Sequence, residues 1–388
     1  MKGTDVFVIG GGPAGIAAAL AARQRGLSVA VADSAVPPID KPCGEGLMPD
    51  SIVALRELGV NIPQLEAHAF RGIRFVSSGL SAQAVFPNGT GLGVRRTNLH
   101  RIMVEHAEAA GVRFLWRTVV TGLQLQKGSG RVETRIDGRT ESIDAHWIIG
   151  ADGGASRVRQ WAGLDVHRQK DQRYAFRRHY RVEPWSEFME LHWAPGCQVY
   201  VTPVGPREVC VALISRNPSL RLDDALSSFP RVAKRLVGPE HGSVERGAVS
   251  VTRRLARVCR ENIALVGDAS GGVDAITGEG LCLAFRQAAL LADCMAAGDL
   301  RPYEKGHRAL SHRPLLMARM MLLMENRNSL RARVMRAFVT RPKLFERMLA
   351  AHVGAATPLE AATNGLALGW RLLTESYQLP AFWPAAKS

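Results

Sequence analysis

The chain has 388 residues, with 50 Lys and Arg against 35 Asp and Glu, a formal charge of +15, and 46% hydrophobic against 22% charged residues. That is the make-up of a water-soluble globular protein with a sizeable core, and it excludes a disordered chain or a fibrous repeat. The excess charge is mostly arginine, spread singly or in the distant pairs Arg95-Arg96, Arg177-Arg178 and Arg253-Arg254, so no nucleic-acid partner is expected.

In chain order, the apolar run Val6-Phe7-Val8-Ile9 leads through a glycine turn into an Ala-rich helix closed by Gly26, and then a second run, Val29-Ala30-Val31-Ala32. This reads as a strand, helix and strand unit. The stretch from Val6 to Ala22 imitates a signal segment in hydropathy, but Asp5 before it and the glycines within it argue against that, and no integral membrane anchor is expected. Residues 34–48, with Pro37, Pro38 and Pro42, read as a loop, and a helix follows from Pro49 to Leu58. The segment Thr97 to Ala110 reads as a helix, Val112 to Trp116 as a strand, and residues 117–149 as an antiparallel meander that returns to the core at Trp147-Ile148-Ile149. Gln172 to Ser215 is β-rich, Ile263 to Val266 is a buried strand, and a long helix is predicted from about Gly280 to Met295. Beyond Leu300 the pattern is helical and amphipathic, with methionines concentrated at 315–324.

The segment Gly10-Gly11-Gly12-Pro13-Ala14-Gly15 sets Gly-x-Gly-x-x-Gly between a strand and a helix, and Asp33 ends the next strand. A dinucleotide needs such an arrangement. Gly10 makes the tight turn, Gly12 lets backbone approach a pyrophosphate, Gly15 lets helix and strand pack closely, and the amides around Pro13 and Ala14 face the phosphates while Asp33 accepts from a ribose. The six cysteines, Cys43, Cys197, Cys210, Cys259, Cys282 and Cys294, form no Cys-x-x-Cys pair, so neither a zinc clip nor a redox dithiol is signalled and no metal is expected. A reducing cytoplasm is the expected compartment.

Three later segments join the glycine turn: Gly150-Ala151-Asp152-Gly153-Gly154 through Arg159, Gly267-Asp268-Ala269-Ser270-Gly271-Gly272, and Thr277-Gly278-Glu279-Gly280. In order and spacing the set resembles FAD-dependent oxidoreductases of the geranylgeranyl-reductase and aromatic-hydroxylase (class A flavoprotein monooxygenase) superfamily, over nearly the first 300 residues. The resemblance implies an α/β fold: a Rossmann-like FAD-binding domain (1–70 with 95–165 and 255–300), an inserted β-sheet substrate domain (71–94 with 166–254) and a C-terminal helical cap (301–388). It also implies that Asp152 and Asp268 contact FAD, Asp268 at the ribityl chain. The helix start Gly278, Glu279 and Gly280 would lie by the flavin pyrimidine, and Arg96 would meet the phosphates, with Arg95 as its competitor. The segment Lys41-Pro42-Cys43-Gly44 resembles the Lys-Pro-Cys-Gly of geranylgeranyl reductases, beside the reactive flavin face. Cys43 is then a candidate proton donor, against the alternative of a small packed side chain, and Glu45 is a second one.

The aromatic strand of those reductases is reduced here to Gln198-Val199-Tyr200-Val201-Thr202-Pro203, so Tyr200 and Pro203 are the candidate substrate contacts and the substrate need not be a geranylgeranyl chain. The leading reaction is reduction of a carbon–carbon double bond in a hydrophobic, isoprenoid- or polyketide-like substrate. The runner-up is NAD(P)H-dependent hydroxylation of an aromatic or polyketide scaffold, and a non-catalytic dinucleotide-binding protein is the alternative from another class. No second glycine fingerprint heads a later unit, so electrons must come transiently from NAD(P)H or from a reduced carrier protein. The amphipathic tail reads as a packed lid, with peripheral contact at the inner face of a membrane as the second reading.

Overall fold

A computed structural model describes residues 3–126, 128–238 and 240–357. Among the described residues the chain builds three sheets. In the first, the parallel strands Arg113–Leu115, Val29–Ala32, Thr4–Ile9, Arg139–Gly150 and Ile263–Leu265 lie side by side, and the hairpin strands Val119–Gln126 and Ser129–Ile136 extend it. Val6 pairs in register with both Val29 and Trp147, which sets Thr4–Ile9 at the centre of the sheet. The central strands are apolar at nearly every position. The helices Pro13–Gln24, Arg96–Ala109 and Gly280–Ala296 pack against them.

The second sheet is mostly antiparallel, in the order Arg246–Leu255, His167–Tyr180, Glu208–Ser215, Cys197–Gly205, Phe188–Ala194, Gly72–Ser77 and Leu80–Val85. The helices Leu222–Leu226 and Pro230–Leu236 pack their apolar residues on one of its faces. The long helix Arg301–Asn326, with Asn328–Thr340 and Pro342–His352, packs on the other, where Phe338 stacks on Phe345 at 4.5 Å and Phe75 meets Trp193 edge-on. The Met-rich segment is thus core on its inner side, with Met321 and Met324 buried, and exposes Leu316 and Leu323 on its outer side. Residues 358–388, the end of the expected cap, lie outside the described residues. No helix among the described residues is long and apolar enough to cross a membrane.

Two features were not anticipated. A small third sheet, Gly46–Leu47 with Gly91–Gly93 and His68–Phe70, joins the other two, and its strands are too short to show periodicity. The arginine pairs also split across element faces, with Arg177 reaching Asp40 and Glu45 on one face of its strand while Arg178 reaches Asp223 and Glu245 on the other. Arg159, Arg173, Arg177 and Arg331 are buried in ion pairs or on backbone carbonyls, so part of the basic excess is interior and not a surface tract.

Candidate active site

A cavity of about 770 Å³ runs from the glycine turn of the first sheet to the inner face of the second. At its first end the turn behaves as its residue types require. Gly10 has φ +112°, and a Cβ there would lie 2.4 Å from the Ala151 carbonyl oxygen; a Cβ on Gly15 would lie 1.9 Å from that of Gly10, so helix and strand touch backbone to backbone. At Gly12, by contrast, a Cβ would meet nothing within 4 Å, because that position faces the cavity. Gly12 is also the N-cap of the helix Pro13–Gln24, which has no side-chain cap and no acid in its first turn, so its leading amides are left for an anion. Pro13 and Ala14 line the cavity beside it, while Gly15 packs behind. Asp33 anchors the turn, accepting from the Gly11 amide at 2.7 Å and the Ala35 amide at 2.8 Å, and lines the cavity where a ribose would lie.

The other predicted polar residues converge on this end. Arg96 opens its helix against the cavity, is only 8% exposed, and its Nε has no hydrogen-bond partner; among the described residues no carboxylate pairs with it. Arg95 is held by Glu208 at 2.6 Å, which separates the two competitors. Asp152 accepts from the amides of Arg157 and Val158 at 2.7 and 3.2 Å, and its other oxygen is buried without a partner. A buried cation without an anion and side-chain-free turns at Gly12, Gly153 and Gly154 fit a dinucleotide pyrophosphate, and the orphaned Asp152 oxygen, which can only accept, fits a hydroxyl donor of the same cofactor. Asp268 lines the same cavity, paired with Lys41 at 2.6 Å. Burial works against its charge, but the Lys41 ammonium and the nearby Arg96 hold its carboxyl below the usual range. Gly278, left-handed at φ +68°, and Gly280 line the cavity at the start of the helix Gly280–Ala296.

Glu279 departs from its expected place against the cofactor. Its side chain leaves the cavity to reach Arg313 at 3.2 Å and His352 at 3.5 Å on the cap helices, and burial pushes its carboxyl up. Only its two glycine neighbours face the cavity, since consecutive residues at a helix start point in different directions.

At the far end Met48, Ala175, Met189, Tyr200, Ala212 and Ile214 make an apolar chamber. Tyr200 donates its hydroxyl to the Ile276 carbonyl at 2.7 Å, and burial keeps it a neutral phenol. Pro203 does not share this chamber. It lies three residues along the same strand, on the opposite face, in a separate crevice with Trp185 and Val209, as a period of two demands.

Cys43 lies on the cavity wall between the two ends, close to the Arg96 and Arg177 charges. Burial pushes its thiol up, against the pull of Arg96, so it remains protonated at neutral pH. The expectation of Glu45 as a proton donor is corrected by its surroundings. Burial alone would raise its carboxyl, but His179 Nε2 at 2.6 Å, the Arg177 guanidinium at 3.7 Å and the Arg96 amide at 2.9 Å hold it ionised, below the usual range. Glu45, itself in the left-handed region at φ +56°, ties the Cys43 loop to the Arg96 helix and has no proton to give. Arg177 and His179 were missed as site residues, because the pairing across the sheets that brings them in leaves no local pattern; Lys41 stands in the Lys41-Pro42-Cys43-Gly44 segment but had no role of its own.

Comparison with known proteins adds the following. The family model described as FAD binding domain matches residues 3–298. The chain is 28% identical over 316 residues to the menaquinone reductase of Mycobacterium tuberculosis, covering 76% of this chain and 77% of that protein. It is 28% identical over 331 residues to the digeranylgeranylglycerophospholipid reductase of Methanosarcina mazei, covering 76% and 77%. Among solved structures, a flavoprotein/dehydrogenase from Cytophaga hutchinsonii superposes with a TM-score of 0.83 at 18% identity, over 97% of this chain and 100% of that one.

Proposed function

The chain belongs to the FAD-binding domain family, and from that premise we propose that it is a flavin-dependent reductase that saturates a carbon–carbon double bond in a hydrophobic, isoprenoid- or polyketide-like substrate. The observation that carries the reading is the continuity of one cavity: a pyrophosphate-fitting end with an unpaired Arg96, an apolar chamber, and a protonated Cys43 thiol between them. The two reductase relatives, one named for a menaquinone and one for a digeranylgeranyl lipid, support it.

In this reading Gly12, Ala14, Asp33, Arg96, Asp152, Asp268, Gly278 and Gly280 hold the cofactor. When bound, the flavin supplies a hydride to one alkene carbon. The chamber around Met189, Tyr200 and Ile214 admits apolar substrate and excludes water, which protects the reduced cofactor from side reactions. Cys43, or a water beside it, gives the proton to the second carbon, and the ionised Glu45 fixes the loop that presents it. The two electrons are restored by NAD(P)H entering the cavity or by a reduced carrier protein. Leu316 and Leu323, exposed on a helix that also carries the exposed Arg319, would let the cap touch an anionic membrane from which such a substrate is drawn.

The test is anaerobic turnover of menaquinone and polyprenyl substrates by photoreduced enzyme, with product mass as the readout. A gain of two hydrogens without oxygen is expected. A product that forms only with oxygen and gains one oxygen atom would overturn the reading in favour of hydroxylation.

A further inference from the structure

The Lys41–Asp268 pair spans the cavity and joins segments 227 positions apart, the proline-bearing loop that carries Cys43 and the turn after the strand Ile263–Leu265. Its Nζ–Oδ2 distance is 2.6 Å, yet the two side chains are 47% and 51% exposed, because both stand in the cavity. An ammonium has three donors, and Asp268 accepts one. Two remain free for a ligand in the cavity that Lys41 lines. Lys41 and Arg96 are the two cations that act on the Asp268 carboxylate, and Lys41 holds it directly.

We propose that Lys41 is a cofactor-positioning cation, steered by Asp268, whose ammonium meets the bound FAD and favours its reduced, more negative form. An exposed ion pair on a surface contributes little. In the cavity, the same charge becomes effective once the cofactor displaces water around it and the local dielectric falls. The effect is differential: a fixed cation attracts the reduced flavin more than the neutral oxidised ring, so it raises the potential as well as the affinity. The inference rests on the family's cofactor and not on the reaction proposed above, and its readouts need no turnover.

The experiment compares the wild type with Lys41→Met and Lys41→Arg. FAD affinity is measured by titrating flavin into stripped protein, the midpoint potential by spectroelectrochemistry of the holoprotein, and the melting temperature of both forms is recorded. For Lys41→Met we expect oxidised FAD to bind about 5-fold more weakly and reduced FAD about 50-fold, a tenfold difference that shifts the two-electron potential by about 30 mV to the negative side. Lys41→Arg keeps the charge and should restore the potential. A Lys41→Met holoprotein with the wild-type potential, and only a lowered melting temperature, would overturn the proposal and leave Lys41 as a loop tether. Equal loss of potential in Lys41→Arg would also overturn it, since charge would then not be the cause. If the reductase reading fails, these outcomes remain readable; if FAD does not bind the wild type, the family premise itself is at fault.

Discussion

Replacing Arg96 by Met should move affinity and stability in opposite directions, because the guanidinium is buried for a ligand and not for the fold. The side chain is 8% exposed, its Nε is unpartnered, and among the described residues it has no carboxylate. A charge-assisted hydrogen bond to a phosphate is worth about 1.5–3 kcal/mol, so Lys- and Arg-free contact at this point weakens FAD binding by roughly 10- to 150-fold. Met keeps the unbranched stem and removes the stranded charge, so the stripped protein should gain about 1 kcal/mol, or roughly 2 °C in melting temperature. Ligand-induced stabilisation then reports the affinity directly. At an FAD concentration of about 100 times the wild-type Kd, the wild type gains about 2.7 kcal/mol, whereas a variant binding about 50-fold more weakly gains about 0.65 kcal/mol. The assay is thermal melting of stripped protein with and without FAD, beside a titration that follows quenching of flavin fluorescence. A Kd within about twofold of wild type, with an unchanged FAD-induced shift, would refute the assignment of Arg96 to the phosphates.

The other expectations use the same assays. Gly12→Val adds its side chain to open cavity space, so the stripped protein should melt within a few degrees of wild type while FAD binding falls by about 100-fold or more; Gly15→Ala, whose Cβ would lie 1.9 Å from the Gly10 carbonyl, should instead lose several kcal/mol of stability. Equal melting temperatures for the two variants would contradict the packing argument. Cys43→Ala should keep its flavin colour and slow turnover by about 10²-fold, the lower range for a positioned acid; an unchanged rate would return the thiol to a packing role. For Glu279 the sign follows from its raised pKa: its neutral form suits the folded state, so that contribution is present at low pH and is lost as pH rises through the folded-state value. The melting temperature of Glu279→Gln relative to wild type should therefore climb between about pH 4 and pH 8, and a difference flat across that window would show that Glu279 is not burdened by its burial.

How much of the site was legible depended on whether backbone or side chain does the work. At Gly10, Gly12 and Gly15 the requirement is the absence of a side chain, which sequence states without ambiguity, and the strand and helix on either side follow from hydrophobic runs alone. Arg96 was named, but only the Glu208 partner of Arg95 distinguishes the two neighbours, and that partner lies 113 positions away on another sheet. Two of the assignments that changed, Pro203 and Glu279, share one cause. Each was carried by a short motif as a block, whereas a motif's residues face different sides of the strand or helix start that bears them.

The electrostatics of the site arise between segments and leave no sign in any one of them. Glu45 looked like a loop carboxylate able to give a proton, and is instead ionised because His179 and Arg177, brought in by the second sheet, face it at 2.6 and 3.7 Å. Its charge is therefore a property of the junction between the sheets and not of its own segment. That junction also presents Cys43, whose thiol stays protonated because the same packing excludes water. A change that loosened the sheets, such as loss of the Arg177–Asp40 and Arg177–Glu45 contacts, would thus alter proton supply at Cys43 while leaving the distant glycine turn and its cofactor grip intact.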